Sequence, residues 1–389
     1  MNLASNSRIG PRILLPKAFT CAFSPSKIGL AAAGLSLTWI VNRLLDWVIP
    51  GTPSLAPGVT QALPKVNAAA LADPGRLFVD CLWALCQPAK VWIKPFPALF
   101  QLDSAGLMAH HGLSGLLVLA IWAVIGASIV RMTLVQVTRP HRQGLGPIQA
   151  LTFAMKRSGS LAAAPLVPLV GVASITAMTA ALGLLYRVPG PIGIIGAGLL
   201  GFLPYLGGLA SAVFLGGLAL GWPLMVASVA AEGEDGFDAF SRAFAFATQR
   251  PLKYTGYAVI ALLLGVPAII GVSLLTDATS QLAAWGLAIT APDDVLMPLL
   301  QPTPGPSDSA TAASLHAFWR DGLQIVSFSF VFVFFWTSVS LIYLLLRQDV
   351  DGVEWDDIAD DGTPESEEIH GTNGEKTHEA VDPMLILRG

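Results

Sequence analysis

The sequence predicts an all-α integral membrane protein of about six transmembrane helices, with interfacial amphipathic helices beside them. Three observations predict it. Only 12% of the 389 residues are charged and 53% are apolar, whereas soluble domains are about 25% charged. Six regions are apolar over about the 20 residues that cross about 30 Å of hydrocarbon. Lysine and arginine concentrate in alternate connections, the asymmetry that orients membrane helices.

The first expected span is Ile28–Ile49. It follows Arg8, Arg12, Lys17 and Lys27 and is too long for the core of a cleaved leader, so it reads as a retained signal anchor. Leu113–Val135, Leu161–Tyr186, Tyr254–Thr276 and Leu323–Leu346 are equally plain. Residues Ile192–Ala230 are too long for one straight span and short for two. Leu206–Ala230 is the expected span, with Ile192–Leu203 a short segment dipping into the bilayer or lying on it. A tight hairpin of two spans is the alternative.

With six spans and a cytoplasmic N-terminus, inside segments hold 15 of the 22 lysines and arginines, outside segments six, and Arg43 lies in the first span. The expected organisation is a cytoplasmic segment 1–27, a transmembrane domain 28–347 and an acidic cytoplasmic tail 348–389. Two extracytoplasmic segments, 50–112 and 277–321, interrupt the domain. In the first, LFVDCLWALCQPAKVWIKPFPALF is amphipathic, and its Trp83, Trp92 and Lys94 suit a helix lying at the interface. The second contains PTPGPSDS, a loop signal. The tail carries 13 acids against Lys376 and Arg388 and is expected to be disordered.

Residues 233–251, GEDGFDAFSRAFAFATQRP, join two spans and are too polar to cross. Asp235 is placed to cap a helix, with Asp238 in its first turn. Phe237, Phe240 and Phe244 share helical spacing, Asp238 and Arg242 are positioned to pair, and Arg250 precedes the terminating Pro251. The expectation is a helix in the cytoplasmic headgroup region, phenylalanines inward and charges to water. Phe153-Ala154-Met155-Lys156-Arg157 echoes Phe246-Ala247-Thr248-Gln249-Arg250, the pattern of a duplicated unit of span, interfacial helix and span.

Charged residues within spans are the default functional candidates. Arg43 and Asp46 sit near the outer end of the first span, where pairing or snorkelling accounts for them, and Arg131 sits near the inner end of the second, where snorkelling suffices. Gly217 and Gly221 form a GxxxG that admits a close helix neighbour, within the chain or in a homo-oligomer, and Pro223 kinks the same helix. The cysteines Cys21, Cys81 and Cys86 make no disulfide framework, and unpaired packing is expected. No metal set, cofactor motif or hydrolase signature such as GxSxG or HExxH is present, and no basic patch suits nucleic acid.

The run GWPLMVASVAAEGEDGFDAFSRAFAFATQRP, followed by Tyr254 and Tyr257, resembles a family of uncharacterised bacterial multi-pass membrane proteins. GASIVRMTLVQV at 126–137 is similar to that family's second span, and the likeness covers about residues 80–275. The chain departs from the pattern around Ala245, Phe246 and Leu252, where aromatic residues would flank the Arg-Pro. The resemblance implies a helical membrane protein, in a bacterial cytoplasmic membrane, and no activity. A looser likeness to membrane domains of some bacterial glycerophosphodiesterases brings no catalytic residue. The expected role is a non-enzymatic scaffold that binds a cytoplasmic protein through its acidic tail. The alternative is a permease or lipid-handling protein using the Gly-rich fourth span.

Overall fold

The computed structural model describes residues 14–49, 63–66, 68–94, 105–139, 144–187, 190–290 and 307–352. The described residues are mostly helical, with no strand among them. In chain order the helices are α1 (Lys17–Ala22), α2 (Pro25–Val48), α3 (Ala68–Ala72), α4 (Pro74–Leu85), α5 (Gln87–Ile93), α6 (Ala105–Thr138), α7 (Pro147–Lys156), α8 (Ser158–Gly183), α9 (Pro191–Leu199), α10 (Phe202–Glu232), α11 (Gly236–Gln249), α12 (Pro251–Ala288) and α13 (Ser307–Val350). Six of them, α2, α6, α8, α10, α12 and α13, are long and apolar enough to cross a membrane. The protein is an all-α, multi-pass membrane bundle.

Proline at the start of α2, α4, α7, α9 and α12 marks where each helix begins, because a missing N–H costs nothing in a first turn. The awkward fourth region resolves into two unequal pieces. The nine residues of α9 reach only about 13 Å, too short to span, while the 31 residues of α10 reach about 46 Å in one helix. The two-span hairpin is therefore not formed.

Helix α13 is the central post. It packs against α2, α6, α10 and α12, and its stretch from Phe328 to Leu346 is almost wholly buried. Around it, side chains such as Leu206, Leu209, Val213, Leu263 and Leu275 point outward. Apolar exposure of that extent belongs in lipid, which solvates hydrocarbon as well as a protein core does. Glycine lets α6 touch the post directly. A Cβ at Gly126 would lie 2.5 Å from the Trp336 ring.

The segment α4–α5 departs from the interface-lying helix expected of it. The Val66 N–H donates to Asp277 Oδ2 at 3.2 Å, yet Leu85 meets α12 at Gly265, twelve residues or about 18 Å of helix further along. Trp92 then inserts fully, 3% exposed, with its ring centroid 4.6 Å from Trp222 and 6.3 Å from Trp336. The apolar face of Leu77, Cys81, Ala84, Leu85, Pro88 and Trp92 is thus spent on protein, and the segment enters the bundle. Trp83 stays exposed with the Lys90 ammonium 3.3 Å from its ring centroid, a cation–π pairing that keeps the lysine tolerable there. Lys94 is exposed. Residues 95–104 lie outside the described residues.

Gly265 makes this entry possible. A Cβ there would fall 2.7 Å from Leu85 Cδ1 and 2.8 Å from Phe334 Cε1. Gly265→Val is expected to cost about 1–3 kcal/mol through overpacking and to release α4–α5. Thermal unfolding of the detergent-solubilised protein checks the first effect. Faster thiol labelling of Cys81, which is buried in the wild type, checks the second.

Candidate functional site: a charged rim and a lateral cavity

Two features stand out. The first is a polar knot at the end of the bundle where α10 and α13 terminate. Glu232, the last residue of α10, is its hub. Its Oε1 accepts from Tyr343 Oη at 2.7 Å and faces Arg347 Nε at 2.9 Å, and its Oε2 takes Arg242 Nη1 at 2.5 Å. Arg242 Nη2 lies 2.5 Å from Glu234 Oε1, Ser228 Oγ donates to Glu234 Oε2 at 2.8 Å, and Asp351 stands 3.6 Å from Arg242. Lys253 and Tyr257 of α12 both bind Asp349 at 2.8 Å. One cluster therefore ties α10, α11, α12 and α13 together.

The C-terminus of α10 is satisfied by arginines from the first half of the chain. Arg131 Nη1 donates to the carbonyls of Ala230 at 3.1 Å and Ala231 at 3.4 Å. Arg157 Nη1 donates to the carbonyl of Gly233. Gly233, at φ 69°, closes the helix in the left-handed conformation that glycine favours. Both guanidiniums lie against the Phe153 ring, at 4.6 and 4.9 Å from its centroid. Cations at the negative end of a helix dipole, with carbonyl acceptors and an aromatic face, offset the cost of burying them. Arg131 does not snorkel: it is 0% exposed. The carbonyls of α10 come closer to hand than water.

Helix α11 forms where expected. It folds back between α8 and α10, with Ala239, Ala243 and Phe246 buried. Asp235 caps it, accepting from the N–H groups of Phe237 and Asp238 at 2.9 Å each. Phe240 and Phe244 are half-buried, but Phe237 points outward at 63% exposure. Arg242 pairs with Glu232 and Glu234 rather than with the exposed Asp238, because partly buried carboxylates attract it more strongly than one in water. Arg250 is exposed at the far end. Phe244 sits on Gly217, where a Cβ would meet its ring at 3.0 Å, and Ala243 faces Gly221 at 3.9 Å. The GxxxG seam is therefore filled within the chain. The order of long helix, short returning helix and span occurs twice, as α6–α7–α8 and α10–α11–α12, with α7 on α6 as α11 is on α10.

Burial raises the Glu234 carboxyl above its ordinary range; the Ser228 hydroxyl and Arg242 oppose this, and Glu232 reinforces it. Burial likewise raises Asp351, with Arg242 opposing. A raised carboxyl holds its proton longer folded than unfolded. Its contribution is greatest at low pH and is lost as pH rises through the raised value.

At the other end, Asp46 Oδ1 lies 3.2 Å from His110 Nε2, and Arg43 stacks over Trp39 at 5.6 Å. Cys21, Cys81 and Cys86 are free thiols. No group of histidine, cysteine or acidic residues fit to hold a metal occurs among the described residues.

The second feature, absent from the sequence reading, is a cavity of about 320 Å³ lined by parts of α4, α5, α10, α12 and α13. Pro223 forms part of its wall, and Tyr254 Oη donates to the Leu220 carbonyl at 2.7 Å beside it. The wall is almost wholly apolar. Trp92 and Ser338 line this wall, and Trp92 Nε1 and Ser338 Oγ are buried with no hydrogen-bond partner among the described residues. Trp222 Nε1, Trp336 Nε1 and Thr337 Oγ1 nearby are in the same condition. A buried donor left alone costs about 1–3 kcal/mol. Only the three-dimensional convergence of Trp92, Trp222 and Trp336 exposes this group; they are 130 and 114 residues apart along the chain. No protein-family model matches the chain, and no curated protein and no solved structure matches it.

Proposed function

We propose that the protein is a non-enzymatic scaffold of a bacterial cytoplasmic membrane, surrounded by membrane lipids, that binds a basic cytoplasmic protein through its acidic C-terminal segment. The same proposal places it with the bacterial multi-pass proteins that its 221–251 run resembles, and puts the charged rim and both termini in the cytoplasm. The skew of lysine and arginine supports that orientation.

One observation carries the reading. The last span runs as a continuous helix to Val350 and is pinned at its end, Asp349 by Lys253 and Tyr257, Asp351 by Arg242. The eleven acids of residues 353–389 therefore follow from a fixed point on the rim. The rim's own charges are mutually paired and serve to join helices, which fits a platform better than a reaction centre. Ending the chain after Gly352 keeps every rim contact. It is expected to remove a basic soluble protein from a crosslinking pull-down of the native membrane. An unchanged set of crosslinked proteins would refute the tail's role.

The Gly-rich fourth span gives a polar-solute path little support, since Gly217 and Gly221 are covered by α11.

A further inference from the structure

Helices α10 and α12 make no extensive contact, and the 320 Å³ cavity occupies the gap between them. Leu220 on its wall is 60% exposed, so the gap opens to the bundle's lipid-facing side. Its volume lies at the lower end of the ~300–1,000 Å³ of small-molecule sites. Trp336, beside Trp92, lies eleven residues from Arg347, about 16 Å of helix above the charged rim. The inner part of the cavity is therefore near the middle of the hydrocarbon, where neither water nor lipid tails offer an acceptor.

The polar atoms left over in that region are nearly all of one kind. Indole N–H groups donate and do not accept, and the Ser338 hydroxyl is free to donate. Among the described residues, no carboxylate or cation lines the wall. A matching occupant has an apolar body, no charge and an oxygen that accepts. The aromatic wall of Trp92, Tyr254, Phe334 and Phe335 suits a flat or extended body. A cavity of similar size, about 260 Å³, between α6 and α8 is lined by Leu, Ala and Pro alone and makes no such demand. A charged phospholipid keeps its carbonyls near the headgroups, far from this depth.

We propose that the α10–α12 cavity binds an uncharged membrane lipid through carbonyl-type acceptors presented to Trp92 Nε1 and Ser338 Oγ. Two sources share that chemistry, an isoprenoid quinone and an acylglycerol. The site is independent of the acidic tail and of any scaffold role.

The test uses the full chain purified in mild detergent. Decylubiquinone, 1,2-dioctanoylglycerol and dioctanoylphosphatidylglycerol are titrated separately while thermal unfolding is followed. One of the two uncharged probes is expected to raise the midpoint saturably, and which one identifies the source; the charged probe is not. Ala258→Phe, which fills the cavity, is expected to abolish the shift. Trp92→Phe and Ser338→Ala are each expected to weaken binding by roughly fivefold, the worth of one hydrogen bond. If Ala258→Phe does not unfold cooperatively, those two variants decide. No shift with either uncharged probe overturns the proposal. So does an equal shift with the charged one, or binding that Trp92→Phe and Ser338→Ala leave unchanged.

Discussion

Replacing Glu232 with alanine is expected to destabilise the folded bundle by about 3 kcal/mol, the lower end of the range for breaking a buried ion pair. One carboxylate serves Tyr343, Arg347 and Arg242 at 2.7, 2.9 and 2.5 Å. Its removal takes this carboxylate from Arg347, whose side chain is only 7% exposed, and from a tyrosine that loses its shortest hydrogen bond. A rim of solvent-screened surface pairs would lose no more than about 1 kcal/mol. Denaturant or thermal unfolding in detergent separates the two. The double change Glu232→Met with Arg347→Met is expected to recover much of the loss, because it removes both buried charges together. A loss below about 1 kcal/mol in the single variant would show that the knot does not hold the helices.

Gly236→Ala is expected to be as damaging, although alanine favours a helix by about 1 kcal/mol over glycine. At Gly236, the first residue of α11, the added Cβ would come within 2.5 Å of Ala163 Cβ, 2.7 Å of the Ala164 nitrogen and 2.8 Å of the Ser160 carbonyl oxygen. Two of these are backbone atoms of α8, which cannot rotate aside. Overpacking against them is expected to cost about 2–3 kcal/mol net and to lever α11 away from α8. The readouts are a lowered unfolding midpoint and faster trypsin cleavage at Arg242. Gly256→Ala in α12 is the control. Nothing lies within 4 Å of its added Cβ, so the expected change is neutral or stabilising by up to about 1 kcal/mol. If Gly236→Ala behaves like Gly256→Ala, α11 is not seated against α8.

The spans were legible because crossing hydrocarbon is a demand on composition over some twenty residues, and local detail hardly alters it. The Asp235 cap was legible too, since it needs only residues two and three places ahead. What escaped was any partner chosen across the fold. Trp92 and Trp83 lie on one amphipathic stretch, yet one is buried among tryptophans and the other is exposed. An apolar face does not say whether lipid or protein will cover it. Asp238 looked like the mate of Arg242 at the right helical spacing, but Glu232 and Glu234 are nearer the interior and win. Arg131 looked like a snorkelling cation, and the buried carbonyl end of another helix claimed it. The cavity had no sequence signal, because Trp92 and Ser338 are 246 residues apart.

We propose that the apolar helices lie in the bilayer while the connector between α10 and α12 gathers its charges at a cytoplasmic rim. Ser241, exposed on α11, is the place to ask. In a chain whose three native cysteines are replaced, a single cysteine at 241 is treated with a membrane-impermeant thiol reagent. Labelling is expected in inside-out vesicles and not in intact cells, with a cysteine at Thr290, near the opposite end of α12, giving the reverse. Labelling of position 241 from outside intact cells would contradict it.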